Sequence, residues 1–279
     1  MDGTTMDLTR TRPRPGRRLG WSADDLARYP YAHHWNPSMP PIAEHAVRAL
    51  AIGPVAEPLL AKDDVLSAAR DLPVPNGYTV TTAGEMRIAV VTEMPGVSPA
   101  MIDWWFGWHG DAAERYKLWH PQAHVHAEWA ATPPEGSAGR ERYVGQTSLV
   151  DEYVGAGLGR FAISFRSPAD VGVVDPAVEG GIDATAVCAR VGLVDIPLDV
   201  GWLVHLVDAV PGGSVMRSFF WIGLPHAQGR NRLVDAAVPV VGRFASPSEA
   251  DARALLSHCA QEMTHLATFL PALHAEQTG

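Results

Sequence analysis

A chain of 279 residues with 47% hydrophobic side chains is long enough to bury a large core, as one big domain or as a main domain with an appendage. Its formal net charge of −9 argues against a nucleic-acid-binding surface, and its two cysteines, Cys188 and Cys259, exclude a disulfide framework and suit a reducing cytoplasm. Arg10, Arg12, Arg14, Arg17 and Arg18 form a basic tail that is rich in Pro and Gly, reads as disordered, and is followed by no apolar run, so neither a secretory leader nor a membrane span is expected.

Residues 23–70 carry short amphipathic stretches broken by Pro30, Pro37, Pro40, Pro41, Pro54 and Pro58, which predicts short helices. Residues 1–73 are too interrupted to close a core. They are expected to pack on the main domain, residues 74–279, or on a second subunit, as the contact of a homodimer. Tyr78–Thr82 and Met86–Glu93 flank Ala83-Gly84-Glu85 as a hairpin, and Ser98-Pro99 opens a helix with a hydroxyl cap and a proline at its first position. Between Trp104 and Trp129 the chain packs five tryptophans and four histidines into 26 residues, the side chains that an apolar pocket with polar chemistry at its floor requires.

Segments 142–154, 160–166, 182–191, 199–210 and 214–222 alternate or are β-branched and are separated by turn residues. Short links between successive strands predict an antiparallel sheet. At the C-terminus, Ser246-Pro247-Ser248-Glu249 reads as a capping box that opens a helix running to Pro271. On that helix Leu255, Leu256, Cys259, Met263, Leu266 and Leu270 share an apolar arc, with His258, Glu262 and His265 along its edge. Laid across a curved sheet, the helix sets that stripe at a cavity wall.

Three groupings can carry chemistry. His258 and Glu262 sit one helical turn apart, as do His120 and His124 if Pro121 begins a turn of helix. His205 interrupts the apolar run 202–207 and must find a buried partner or bind a metal. Asp151 and Glu152 supply carboxylates in a strand. Imidazole and carboxylate without thiolate suit Zn²⁺ with an open position, or Fe²⁺. Each grouping also has an ordinary reading: paired surface histidines, a satisfied core histidine, an i,i+4 contact on a helix surface. Nucleophile elbow, P-loop, dinucleotide fingerprint and Cys-X-X-Cys are all missing, which sets aside serine hydrolases, nucleotide enzymes and thiol redox proteins.

The strings Thr92-Glu93-Met94-Pro95-Gly96-Val97, Met101-Ile102-Asp103-Trp104-Trp105-Phe106-Gly107-Trp108-His109, Arg115-Tyr116-Lys117-Leu118-Trp119-His120-Pro121 and His258-Cys259-Ala260-Gln261-Glu262-Met263 resemble the 2,4-diacetylphloroglucinol hydrolase (PhlG-type) family. The resemblance covers about Pro75 to Pro271. It implies an α+β fold, a Bet v1-like helix-grip domain with a small helical N-terminal domain used in dimerisation, and zinc-dependent hydrolysis of a carbon–carbon bond next to a ketone. It carries metal ligation onto His120, Glu152, His205 and Glu262, with His258 as a ligand or immediate neighbour and His124 close by. His124 or His258 then serves as the acid that protonates the leaving carbon, and Tyr116 and Tyr153 contact an oxyanion or phenol.

The chain departs from the family at Ala123 and at Phe219 or Phe220, where polar contacts to a phenolic substrate are expected. A different acyl phenol or an alicyclic β-diketone is therefore the expected substrate. Two other classes use the same residues differently: a metal-free helix-grip carrier of polyketides, and a non-haem iron oxygenase that requires a co-substrate.

Overall fold

The computed structural model describes residues 14–55, 61–63, 76–173, 183–241 and 247–279, with backbone alone at 239–241. Pro73, Ile182 and Ser246, which bound three of the expected elements, lie outside the described residues.

Two short helices, α1 (Ala23–Arg28) and α2 (Glu44–Ile52), precede the sheet. They are tied to the chain's own main body by aromatic packing. Trp21 stacks on Trp35, Tyr31 meets the edge of Trp108 at 5.1 Å, and Trp21 Nε1 donates to the Glu114 carbonyl. The hairpin strands follow as β1 (Gly77–Val80) and β2 (Glu85–Pro95), then α3 (Pro99–Trp108), whose Ser98 cap accepts from the Met101 amide. Next come α4 (Ala113–Trp119), β3 (His124–Trp129), α5 (Gly139–Tyr143), β4 (Thr147–Val154) and β5 (Gly157–Arg166). After them lie α6 (Pro168–Val171), β6 (Ala184–Leu193), β7 (Leu198–Val210), β8 (Gly213–Gly223), β9 (Gln228–Gly229), α7 (Arg232–Val241) and α8 (Glu249–Thr278).

The strands form one antiparallel sheet in the order β1-β2-β8-β7-β6-β5-β4-β3, with β9 paired beside β7. Helix α8 crosses its concave side against β1, β2 and β4, the helix-grip arrangement that the family resemblance implies. Its 30 residues span about 45 Å at 1.5 Å per residue. Leu256, Leu266, Leu270 and Leu273 are fully buried on its inner face, each burial favourable by about 1.5–3 kcal/mol.

Three local expectations are corrected. The segment expected as a strand from Arg142 starts as a helical turn, because Tyr143 is buried with its hydroxyl bonded to Asp103 and Gly145, at φ +84°, breaks the path before β4. The cap of α8 is Ser248 with Asp251 as its capping-box partner, so Pro247 precedes the helix rather than starting it. The helix also continues through Pro271. The ring removes one bond to the Ala267 carbonyl, but Leu270 and Leu273 on either side are held in the core.

Candidate metal centre

Four elements deliver the polar groups. Helix α4 stops at His120 because Pro121 offers no N–H and disfavours a helical conformation in the residue before it. A single turn follows, with the Ala123 and His124 amides both donating to the His120 carbonyl, and His124 opens β3. The β3–β4 register sets His124 directly opposite Glu152, with an irregularity between His124 and His126. Along β4, Ser148, Val150, Glu152 and Val154 share the inner face, whereas Asp151 turns to the outer face and pairs with Arg17 at 2.9 Å. From the opposite side α8 brings His258 and Glu262. The turn after β4 lies close beneath that helix: at Gly155, φ +65°, a side chain's Cβ would stand 3.1 Å from Ala254 Cβ.

His124 Nε2 lies 3.5 Å from both Glu152 Oε2 and Glu262 Oε2, and 3.4 Å from His258 Nε2. His258 Nε2 is 3.7 Å from Glu262 and 3.9 Å from Glu152. A tetrahedron with bonds of about 2.0–2.1 Å has edges of roughly 3.4 Å, so His124, His258 and Glu262 already stand near ligand spacing, with Glu152 3.5 Å from His124. Each imidazole is oriented from behind. His124 Nδ1 donates to the Tyr116 carbonyl at 3.0 Å, which leaves Nε2 with its lone pair, and His258 bonds the backbone of Tyr153. The Tyr116 ring lies flat on His124, 3.8 Å between centroids, and its hydroxyl donates to Glu152.

Every member of the group resists its own charge. Burial raises the Glu152 carboxyl to about 7, against the hydrogen bond from Tyr116, and burial together with the Glu152 charge holds Glu262 well above the usual carboxylate range. Burial takes His258 down to about 4, and takes His124 well below 6.5 with His258 and His120 adding to the effect. Two carboxylates facing two neutral imidazoles in an apolar enclosure are costly without a positive charge, and a divalent transition-metal ion is the group this donor set fits. His124, His258 and Glu262 are buried and place one ligand atom each within 4.8 Å of the others.

Glu152, His258 and Glu262 line one side of a cavity of about 700 Å³ whose remaining walls include Phe106, Trp119, Phe161, Leu203 and Phe220. Of the tryptophan-rich run, Trp119 reaches this cavity. Trp105 is core, and Trp104 and Trp108 stack on each other away from it.

The other expected site residues take the following places. His120 turns Nε2 to Gln261 at 3.3 Å and stacks on His258 at 4.7 Å, beside the group rather than in it. His205 lines the cavity from β7, but its Nδ1 is bound to Ser218 Oγ at 2.7 Å, its partner directly across the β7–β8 pair. His124, expected close to the metal and as one of two candidate acids, stands 3.4–3.5 Å from His258, Glu152 and Glu262. Tyr153 faces away from the cavity, since Glu152 faces in, and borders a separate pocket of about 410 Å³ together with Ala123. Phe219 stacks on Trp221 in a second apolar cluster, so Phe220 alone of the departing residues meets the cavity. His265 bonds the Trp119 carbonyl.

His109, left without a partner by sequence, lines the cavity and donates Nδ1 to the Trp105 carbonyl at 2.9 Å. Burial lowers its pKa to about 4. The unfolded chain therefore takes up a proton near 6.5 that the folded chain refuses until about 4, so this group's contribution is full above 6.5 and is lost as pH falls toward 4. Between pH 7.5 and 5.5 it removes roughly 1 kcal/mol of stability. His109→Gln, which keeps a donor for Trp105, is expected to lose less stability than wild type over that interval by this amount in urea melts. Parallel pH dependences would refute the assignment.

Comparison with known proteins gives the same direction. Residues 58–275 match the family model described as the DAPG hydrolase PhiG domain. The chain is 31% identical over 260 residues to a 2,4-diacetylphloroglucinol hydrolase of Pseudomonas sp, covering 88% of each. It is 26% identical over 273 residues to the phloretin hydrolase of Eubacterium ramulus, covering 94% of this chain and 95% of that one. Among solved structures, human STARD10 aligns with 82% of this chain and 93% of its own at 14% identity, with a TM-score of 0.34. Among the described residues no helix is long and apolar enough to cross a membrane. Matched over most of its length by the model and by relatives at this identity, the chain belongs to the DAPG hydrolase PhiG domain family of hydrolases.

Proposed function

We propose that the protein hydrolyses the carbon–carbon bond between an acyl carbonyl and a ring or enol carbon, releasing a carboxylic acid and a deacylated phenol or ketone. The observation that carries this reading is the buried His124, His258, Glu262 and Glu152 group at the side of an apolar cavity, in a family whose members are named for 2,4-diacetylphloroglucinol and phloretin. His124, His258 and Glu262, with Glu152 beside them, would hold the ion, which we assign as zinc. When bound, it supplies positive charge to the ketone oxygen and acidifies a water molecule.

The chain's own residues do the rest. Water adds to the carbonyl carbon, and the carbon–carbon bond then breaks with its electron pair passing to the departing carbon, where a conjugated keto or hydroxyl group spreads the charge. That carbon takes a proton. His124 and His258 belong to the donor group; of the two other cavity imidazoles, His109 and His205, we assign the transfer to His205, which takes the proton lost by the adding water and passes it to that carbon. Tyr116, whose phenol burial and Glu152 hold well above pH 10, stays protonated and fixes Glu152. Phe106, Phe161, Phe220 and Trp119 exclude bulk water and strengthen the electrostatics of the site.

A panel of acylphloroglucinols, less hydroxylated acyl phenols and cyclic β-diketones, assayed for acid release, tests the reading. Chelator-stripped protein is expected to be inactive and zinc to restore it better than iron. Phe220 leaves one phenol hydroxyl without a partner at a cost of about 1–3 kcal/mol, so diacetylphloroglucinol is expected to trail the best substrate by roughly one to two powers of ten in kcat/KM. No acid release from any member, in zinc-loaded protein, would overturn the proposal.

A further inference from the structure

We propose that His33, His34 and Glu276 form a second, surface site for a divalent transition-metal ion, which clips the N-terminal segment to the last turns of α8. This inference is independent of the cavity and its chemistry. His33 Nε2 lies 3.1 and 3.0 Å from the two oxygens of Glu276, and His34 Nε2 lies 3.0 Å from Oε2. One ligand atom from each of the three falls within 4.8 Å of the others, the spacing criterion that the buried group also meets.

The convergence is not what the local backbone provides by default. Residues 32–34 form a single 3-10 turn, in which neighbouring side chains diverge by about 120° around the axis. Both rings nevertheless turn to the same carboxylate, with centroids 4.2 Å apart. The partners are held in place by packing. Tyr31 anchors the turn against Trp108, His34 is nearly buried beside Phe269, and Glu276 projects from a helix whose inner face is core. A preorganised pair of imidazoles with one carboxylate needs little rearrangement to bind.

Hydrogen bonding alone accounts poorly for the arrangement. His33 and Glu276 are exposed, so the bond between them contributes little to stability, since water serves each group about as well. Two imidazole nitrogens and a carboxylate oxygen, with the outer side open to water, instead match the ligand preferences of Zn²⁺, Cu²⁺ or Ni²⁺. The clip joins positions 243 residues apart, so an ion bound there stabilises the folded chain by linking its two ends.

The test uses untagged full-length protein, stripped with chelator and dialysed to equilibrium against zinc chloride. Wild type is expected to hold about one more zinc per chain than His33→Ala or Glu276→Ala, whose exposed side chains can be removed without disturbing the core. Its thermal midpoint should rise on zinc addition by more than that of either variant. Glu262→Ala should keep the surface equivalent while losing the buried one, so the two sites fail or succeed separately. Equal zinc stoichiometry and equal thermal response in wild type, His33→Ala and Glu276→Ala would overturn the proposal.

Discussion

His258→Ala and Glu262→Ala are expected to lose the buried ion and to reduce turnover by more than about 100-fold, the upper range for changes that only reorient a ligand. Either substitution removes one of the three donors standing 3.4–3.7 Å apart, His124, His258 and Glu262, and leaves a gap in the enclosure. His124→Ala should behave alike, because its Nε2 is the atom that faces all three other members. His120→Ala is the informative contrast: its ring supports His258 and its nitrogen bonds Gln261, so the variant should retain the ion and most activity. Metal content by elemental analysis and kcat by acid release check both sets. Retention of metal in His124→Ala with loss in His120→Ala would return ligation to the residue that the sequence resemblance indicates. The metal-free proteins offer a second readout. Burial and the Glu152 charge raise the Glu262 carboxyl well above its usual range, a penalty against its ionisation that Glu262→Gln removes. Metal-free Glu262→Gln should therefore resist urea better than metal-free wild type, while metal-loaded wild type exceeds both.

How far the sequence reaches is set by which facts are local. The grip helix is legible because caps and a 3.6-residue period are local, and His258 and Glu262 at the edge of its apolar arc do face the cavity. The hairpin of β1 and β2 is legible for the same reason. The choice between Asp151 and Glu152 is not, because both parities of β4 carry apolar residues: Leu149 and Tyr153 on one, Val150 and Val154 on the other. Only the neighbouring strands and Arg17 decide which side turns inward. His120 and His124 pose the same difficulty. Their spacing reads equally well as a helical pair, and the decisive event is that Pro121 ends α4 and sends the chain into β3 opposite Glu152. Strand β3 lacks the β-branched run that would have announced it, with His124, His126, Glu128 and Trp129 among its six residues. Ser218 is a plain strand serine until the register sets it across from His205.

His205→Phe is expected to lower kcat by about 10²- to 10⁴-fold, the usual contribution of a positioned general acid or base, while leaving the buried ion in place. The side chain sits between Phe106 and Phe220, so a phenyl ring preserves the shape of the wall and removes only the nitrogens. Burial takes its pKa down to about 3, so at neutral pH it is an uncharged imidazole with one donor and one acceptor. Ser218 selects which is which. The hydroxyl also bonds Cys259, and with its hydrogen directed to the sulfur its oxygen accepts from His205 Nδ1. The proton of the neutral ring then resides on Nδ1, which leaves the Nε2 lone pair to take the proton of the adding water and pass it to the departing carbon. Ser218→Ala should keep the ring but lose this selection, with a smaller fall in kcat, about tenfold, and an altered pH profile. Retained turnover in His205→Phe would exclude the imidazole from proton transfer. Loss of metal in the same variant, measured before any assay, would instead make His205 a ligand and move the proton donor elsewhere in the cavity.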